Sequence, residues 1–179
     1  MSVSINVTID NIMDAIGVFI QQFAPLAQIV RGQQNRVALP ADPTVVLTEL
    51  LSVDLETSSH FMDNINQQVT IFTPCRIDIQ VDFYGSVSGD YCRMLKNAFR
   101  SSYAVDQFNS YTAANNLGTI VPLYCSDGLQ HPLITAEDES ETRWTLTISL
   151  QYNPTVEIAQ QSATAAKING FTAVDLKWK

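Results

Sequence analysis

The chain has 179 residues, 46% of them apolar, enough for one domain that buries roughly 70% of the surface it exposes when unfolded. Only 16% are charged, with 18 acidic against 10 basic residues and a formal net charge of -8, a balance that argues against a groove-reading nucleic-acid binder needing clustered cations. Ser, Thr, Asn and Gln fill 53 positions, giving a surface that can hydrogen-bond to a copy of itself without repelling it.

The first predicted element is a helix from Thr8, with Ile12, Ile16, Phe19, Ile20 and Phe23 on one face and Asp10 and Asp14 near its positive end. Pro25 and Gly32 bracket where it must end or kink. The apolar run Ala15 to Ile20 is too short for a membrane span, and no basic lead marks a signal peptide. A polar loop, Gly32 to Arg36, leads through Pro40 and Pro43 to a strand from Val45 to about Glu56.

Between 69 and 84, Val69, Ile71, Cys75, Ile77, Ile79, Val81 and Phe83 alternate with polar residues, the pattern of a long half-buried strand. Pro74 lacks a donor N–H, so this strand must lie at an edge there or be broken by a bulge. Ser88 and Asp90 open a second helix whose inner face is Tyr91, Leu95, Ala98 and Phe99. Residues 105 to 117 are polar and ambiguous. Thr119 to Cys125 reads as a strand, Asp127-Gly128 as a turn, and Trp144 to Tyr152 repeats the period-2 alternation. Beyond Pro154 an Ala- and Gln-rich tail ends in a strand-like piece near Phe171 to Trp178. The order helix, strands, helix, strands predicts an α+β domain, a mostly antiparallel sheet with two main helices packed on one face.

Cys75, Cys92 and Cys125 show no Cys-x-x-Cys spacing, so buried thiols in a reducing compartment are expected rather than disulfides. Asn6-Val7-Thr8 fits a glycosylation acceptor only by chance. Cys125 and His131, with Asp127 between them, form the one arrangement resembling a thiol nucleophile and its base. The spacing matches no nucleophile signature, and a buried thiol beside a turn is the favoured reading. With His60 the only other histidine, no catalytic, metal or cofactor site is expected. The acidic run Glu137, Asp138, Glu139 lacks the spacing and turn glycine of a calcium loop and reads as a solvated or partner-facing loop. Arg93, Lys96 and Arg100 at i, i+3 and i+7 form a one-sided cationic stripe, either solvated or facing an acidic neighbour.

An ordered set of short motifs then stands out: Gln33-Gln34-Asn35-Arg36 to Pro40, Val45-Val46-Leu47, Asp82-Phe83-Tyr84-Gly85, Arg143-Trp144 and Gln151-Tyr152-Asn153-Pro154. Together they resemble the neck terminator, or tail terminator, proteins of tailed bacteriophages, from the first helix to about Pro154. The resemblance implies one terminator-like domain over 1–154, with 155–179 as a C-terminal extension. It implies a non-enzymatic virion subunit that forms a ring, most often a homohexamer, made in the host cytoplasm and located at the tail or neck. Such a ring caps the tail tube, stops its growth and offers the joining surface to the head. Its partners are itself, the tail tube protein and a head-tail connector or collar protein, with DNA passing through the lumen without specific binding and no membrane involved. Gln34, Asn35, Arg36, Arg93, Lys96, Arg100, Glu137, Asp138 and Glu139 are the candidate contact residues. The competing readings are a head-tail connector or adaptor of the same virion and, more remotely, a thiol hydrolase using Cys125 and His131.

Overall fold

The chain starts with a short strand, β1 (Val3–Ile5), and turns into helix α1 (Ile9–Gln21) at a reciprocal cap. Thr8 Oγ1 accepts from the Asn11 N–H at 3.2 Å, while Asn11 Oδ1 accepts from the Thr8 N–H at 2.9 Å, so two donors at the helix start are satisfied. Helix α1 ends before Pro25, and β2 (Gln28–Arg31) follows. The computed structural model describes residues 3–32, 43–63, 65, 68–134 and 140–159. The strand-like piece expected near Phe171 to Trp178 lies outside them.

Strand β3 (Thr44–Asp54) falls where the sequence predicts it, but β4 (Ser59–Asp63) is an added element. The long strand expected over 69–84 is two strands, β5 (Gln68–Phe72) and β6 (Cys75–Tyr84), parted at Pro74. They belong to different sheets. Next come α2 (Ser88–Phe99) and α3 (Ser102–Ala114), the latter in the region the sequence leaves ambiguous, so a third helix among the described residues joins the two expected ones in an α+β fold of mostly antiparallel sheets. The chain continues through β7 (Ile120–Cys125), β8 (Leu129–Ile134), β9 (Ser140–Tyr152) and β10 (Thr155–Ala159).

The large sheet has the order β2-β3-β6-β9-β7, with β8 also pairing with β9. Every pairing is antiparallel except β2 with β3. Residues 75–84 of β6 pair without a break against 152–143 of β9. Period-2 alternation therefore puts Ile77, Ile79, Val81 and Phe83 on the same face as Leu146, Ile148 and Leu150, all essentially inaccessible. The helices cover that face. Phe19 of α1, 2% exposed, sits 5.4 Å from Phe108 of α3 and 6.2 Å from Phe99 of α2, centroid to centroid. This ring cluster ties the three helices to each other.

The small sheet has the order β1-β10-β5-β4, entirely antiparallel. Its registers align Val3, Ile158, Val69 and Met62 in one row and Ile5, Val156 and Ile71 in the next, so these seven side chains share a face. None of the residues in its four strands is buried.

Because Phe19 joins three helices, Phe19→Ala is expected to cost about 3–5 kcal/mol of unfolding free energy, the usual range for emptying a buried aromatic site. Urea denaturation followed by circular dichroism measures it, and a loss under 1 kcal/mol would contradict this account of the core.

Candidate functional site

Helix α2 holds the cationic stripe outward by burying Cys92, Leu95 and Phe99. The turn after β7 then brings an acid to it. Lys96 Nζ lies 2.5 Å from Asp127 Oδ1, and Arg100 Nη2 lies 3.8 Å from the same oxygen. Arg100 also donates from Nε to the Cys125 carbonyl at 3.1 Å, and its guanidinium lies 5.4 Å from the centre of the Tyr124 ring. Two of the three cations are thus engaged within their own chain. Arg93 is exposed, beside a depression of about 150 Å³ lined also by Gly89, Gly128 and Trp144. Gln34, Asn35, Arg36, Glu137, Asp138 and Glu139 lie outside the described residues.

The hydrogen bond from Lys96, and then its charge, hold the Asp127 carboxyl below the usual carboxylate range. A lowered folded-state value means the attraction is present at neutral pH and lost as pH falls through that value. Asp127 is exposed, so salt weakens the attraction further.

The outer face of the large sheet carries a second charge arrangement, built by the β6–β9 register. Asp82, only 3% exposed, accepts from Arg143 Nη2 at 2.9 Å and Nε at 3.2 Å, and from Gln80 Nε2 at 2.7 Å. The Thr145 hydroxyl donates to it as well. Arg143 stands over Tyr84, 5.6 Å from the ring centre. Further along β6, Arg76 Nη2 meets Asp78 Oδ2 at 3.3 Å, while Arg76 Nε and Asp78 Oδ1 are buried atoms without a hydrogen-bond partner. Both arginines of this face are matched to a carboxylate of the same chain, which leaves a face of neutral hydrogen-bonding groups such as Thr147, Ser149 and Gln151. Sequence reading placed Asp82 and Arg143 on polar faces but missed their pairing. The available signal was opposite charges on the polar faces of two long alternating strands.

Cys125 and His131 are not brought together. Cys125 pairs with Ile148 and His131 with Arg143 on the same strand, five positions apart, or roughly 17 Å at strand spacing. Cys125 is fully buried and His131 exposed. Burial pushes the Cys125 and Cys92 thiols up to about 11, the opposite of what an attacking thiolate requires. Among the described residues no helix is long and apolar enough to cross a membrane.

Three helices on one face of a mainly antiparallel sheet, a charge-balanced polar outer face and an open small sheet define an α+β subunit whose distinctive features are surfaces. A family model described as phage neck terminator protein matches residues 10–174, and the chain belongs to that family. The match runs past Pro154, the last residue the sequence motifs cover, and includes β10. Membership makes the protein a structural component of the phage neck or tail that meets other tail or head proteins. None of the curated proteins matches the chain.

Two outcomes follow from the site chemistry. Asp82→Ala should cost about 2–3 kcal/mol, less than the roughly 3–5 kcal/mol for breaking a fully buried pair because the Arg143 side chain keeps 28% exposure. Asp78→Ala, which removes an orphaned oxygen together with a single 3.3 Å contact to the half-exposed Arg76, should cost less, under about 1 kcal/mol. Equal losses in chemical denaturation would overturn this contrast. Iodoacetamide at pH 8 should label Cys92 and Cys125 only after unfolding. Their raised values add stability that is fully present below the ordinary thiol value of 9.0 and lost as pH climbs through about 11, so alkaline melting curves should shift down across that window.

Proposed function

We propose that this chain is the ring-forming terminator of its phage. Six copies cap the finished tail tube, stop its growth and present the surface that meets a head-tail connector or collar protein, with no catalytic step. The family match over 10–174 carries this reading. The outer face of the large sheet supports it physically. A ring lumen must let a polyanion slide, and on this face both arginines among the described residues, Arg76 and Arg143, are already paired with Asp78 and Asp82 rather than free to hold phosphates. In this proposal residues 1–154 supply the terminator domain, and assembly proceeds in the host cytoplasm before the ring enters the virion.

The remaining candidate contacts, Gln34, Asn35, Arg36, Glu137, Asp138 and Glu139, join Arg93 in this proposal as surfaces for a neighbouring subunit or the next ring. Lys96 and Arg100 support the Asp127 turn instead, so Arg93 is the stripe residue whose charge is available across an interface. Arg93→Glu should leave the melting temperature within about 1 °C, because exposed charges contribute little to folding, and should weaken ring assembly several-fold. Light scattering and negative-stain images of the protein, alone and mixed with tail tubes, test both statements. A parent protein that stays monomeric in both settings overturns the ring, and a variant that assembles as well as the parent removes Arg93 from the contact.

A further inference from the structure

Among the described residues Arg93 is the one lysine or arginine that meets no carboxylate of its own chain. It stands at a depression of about 150 Å³, at most half of the roughly 300–1,000 Å³ that encloses a small-molecule ligand. A single side chain fits there; a strand or a helix does not. Trp144 lines the depression between two glycines. A Cβ at Gly89 would lie 3.0 Å from the indole Nε1, and one at Gly128 would lie 3.6 Å from its Cε3 and 2.5 Å from Cys92 Sγ. Two edges of the ring are thus lined by backbone, which keeps its surface open. The Lys96–Asp127 pair and the bond from Arg100 to the Cys125 carbonyl hold the Gly128 wall in position, so the depression is formed before anything enters it.

An indole surface beside one unspent cation describes the occupant. It has a short aliphatic stem, which covers the ring, and a carboxylate, which the guanidinium fork of Arg93 can take by both oxygens. Glutamate has that shape, and each copy of the chain carries 18 acidic residues against 10 basic ones. Placement selects among its glutamates. Glu49 and Glu157 have described side chains but lie within strands β3 and β10, flanked by neighbouring strands. Glu56 projects from the short connection between β3 and β4, exposed and meeting no cation of its own chain among the described residues.

Glu56 also lies far from the depression. Trp144 pairs with Phe83 near one end of β6, whereas Leu55 donates its N–H to the Pro74 carbonyl beyond the other end, nine positions or roughly 30 Å away. A pocket at one end and its occupant at the other make copies complementary head to tail, the relation that closes a ring. The flanking residues match as well. Leu55 beside Glu56 is 45% exposed, and Leu129 directly after Gly128 is 60% exposed, so an apolar contact can accompany the charge.

We propose that Glu56 of a second copy of this chain enters the depression, with its methylenes on Trp144 and its carboxylate on Arg93. The proposal rests on the ring reading and names a contact that closes the ring.

The test uses the full chain, with tail tubes present where the parent forms rings only on them. Arg93→Glu and Glu56→Arg should each raise the concentration needed for half-assembly at least about fivefold, without moving the melting temperature of the unassembled protein. The double variant restores the pair with its charges exchanged and should return to within about twofold of the parent. Trp144 fluorescence, read in a Trp178→Phe background, should shift to shorter wavelength on assembly as water leaves the ring. Single reversals that assemble like the parent, a double variant no better than the singles, or an unchanged Trp144 emission in assembled rings overturns this contact and leaves the ring reading intact. A loss for Arg93→Glu with none for Glu56→Arg gives Arg93 to a different acid and also overturns it. A fall in the melting temperature of unassembled Glu56→Arg means that Glu56 is paired within its own chain, and the contact fails. A parent that stays monomeric alone and with tail tubes overturns the ring reading and the contact with it.

Discussion

The unbroken pairing of β6 with β9 is the constraint on which the rest of the structure depends. With side chains alternating every residue, a slip of β6 by one position would carry Ile79 to the outside and Asp82 into the helix layer, away from Arg143. Burying that carboxylate without its partner among Leu95 and Leu146 would cost far more than any hydrogen bond returned. The Asp82–Arg143 pair therefore acts with the apolar rows in setting register, since it can form only when residue 82 faces residue 145. The helices then pack on a surface whose shape is already decided, and the Phe19, Phe99 and Phe108 rings hold them there.

The same pair of strands explains why a second sheet exists. Pro74 and Pro154 fall one position apart on neighbouring strands, Pro74 level with Asn153 and Pro154 with Thr73, between the Cys75–Tyr152 pair and the Phe72–Thr155 pair. Neither proline has an N–H to give, so the ladder is interrupted in both strands at adjacent levels. Their carbonyls remain acceptors, taking the Leu55 N–H at 2.8 Å and the Thr73 N–H at 3.3 Å. The strands resume as β5 and β10 in a sheet of their own. Two prolines thus turn what would be the end of one sheet into a separate surface, with β1 and β4 added at its sides.

How much of this was legible in the sequence follows from where the physical signal is local. Helix α1 and strands β3, β6 and β9 each carry a buried face that repeats at the element's own period, and their residues announce them. Helix α3 does not. Only Ala104, Phe108 and Thr112 are buried along it, a narrow stripe with two small members among polar residues, and its place is set by the contact of Phe108 with Phe19. Strands β4 and β10 are five residues long with no buried position, so alternation has little to report. The cationic stripe was legible as a stripe, because spacing on a helix is local. That Asp127, thirty-one residues after Lys96, would close on it depends on the β7–β8 turn lying beside α2, which no spacing encodes.

Charge pairing within the chain also limits what kind of contact can hold an assembly together. On the described faces Arg31, Arg76, Lys96, Arg100 and Arg143 each meet a carboxylate of their own chain. A neighbour that recruited any of them would have to replace an existing partner, gaining only the difference between two ion pairs. Apolar area is free of that competition. Val3, Ile5 and Met62 lose nothing when covered, and the gain scales with the surface removed from water. Contacts of this kind are nearly indifferent to ionic strength, whereas exposed ion pairs weaken as salt rises. An assembly held mainly by apolar area would therefore keep its strength across changes in salt that would loosen one built from exposed ion pairs.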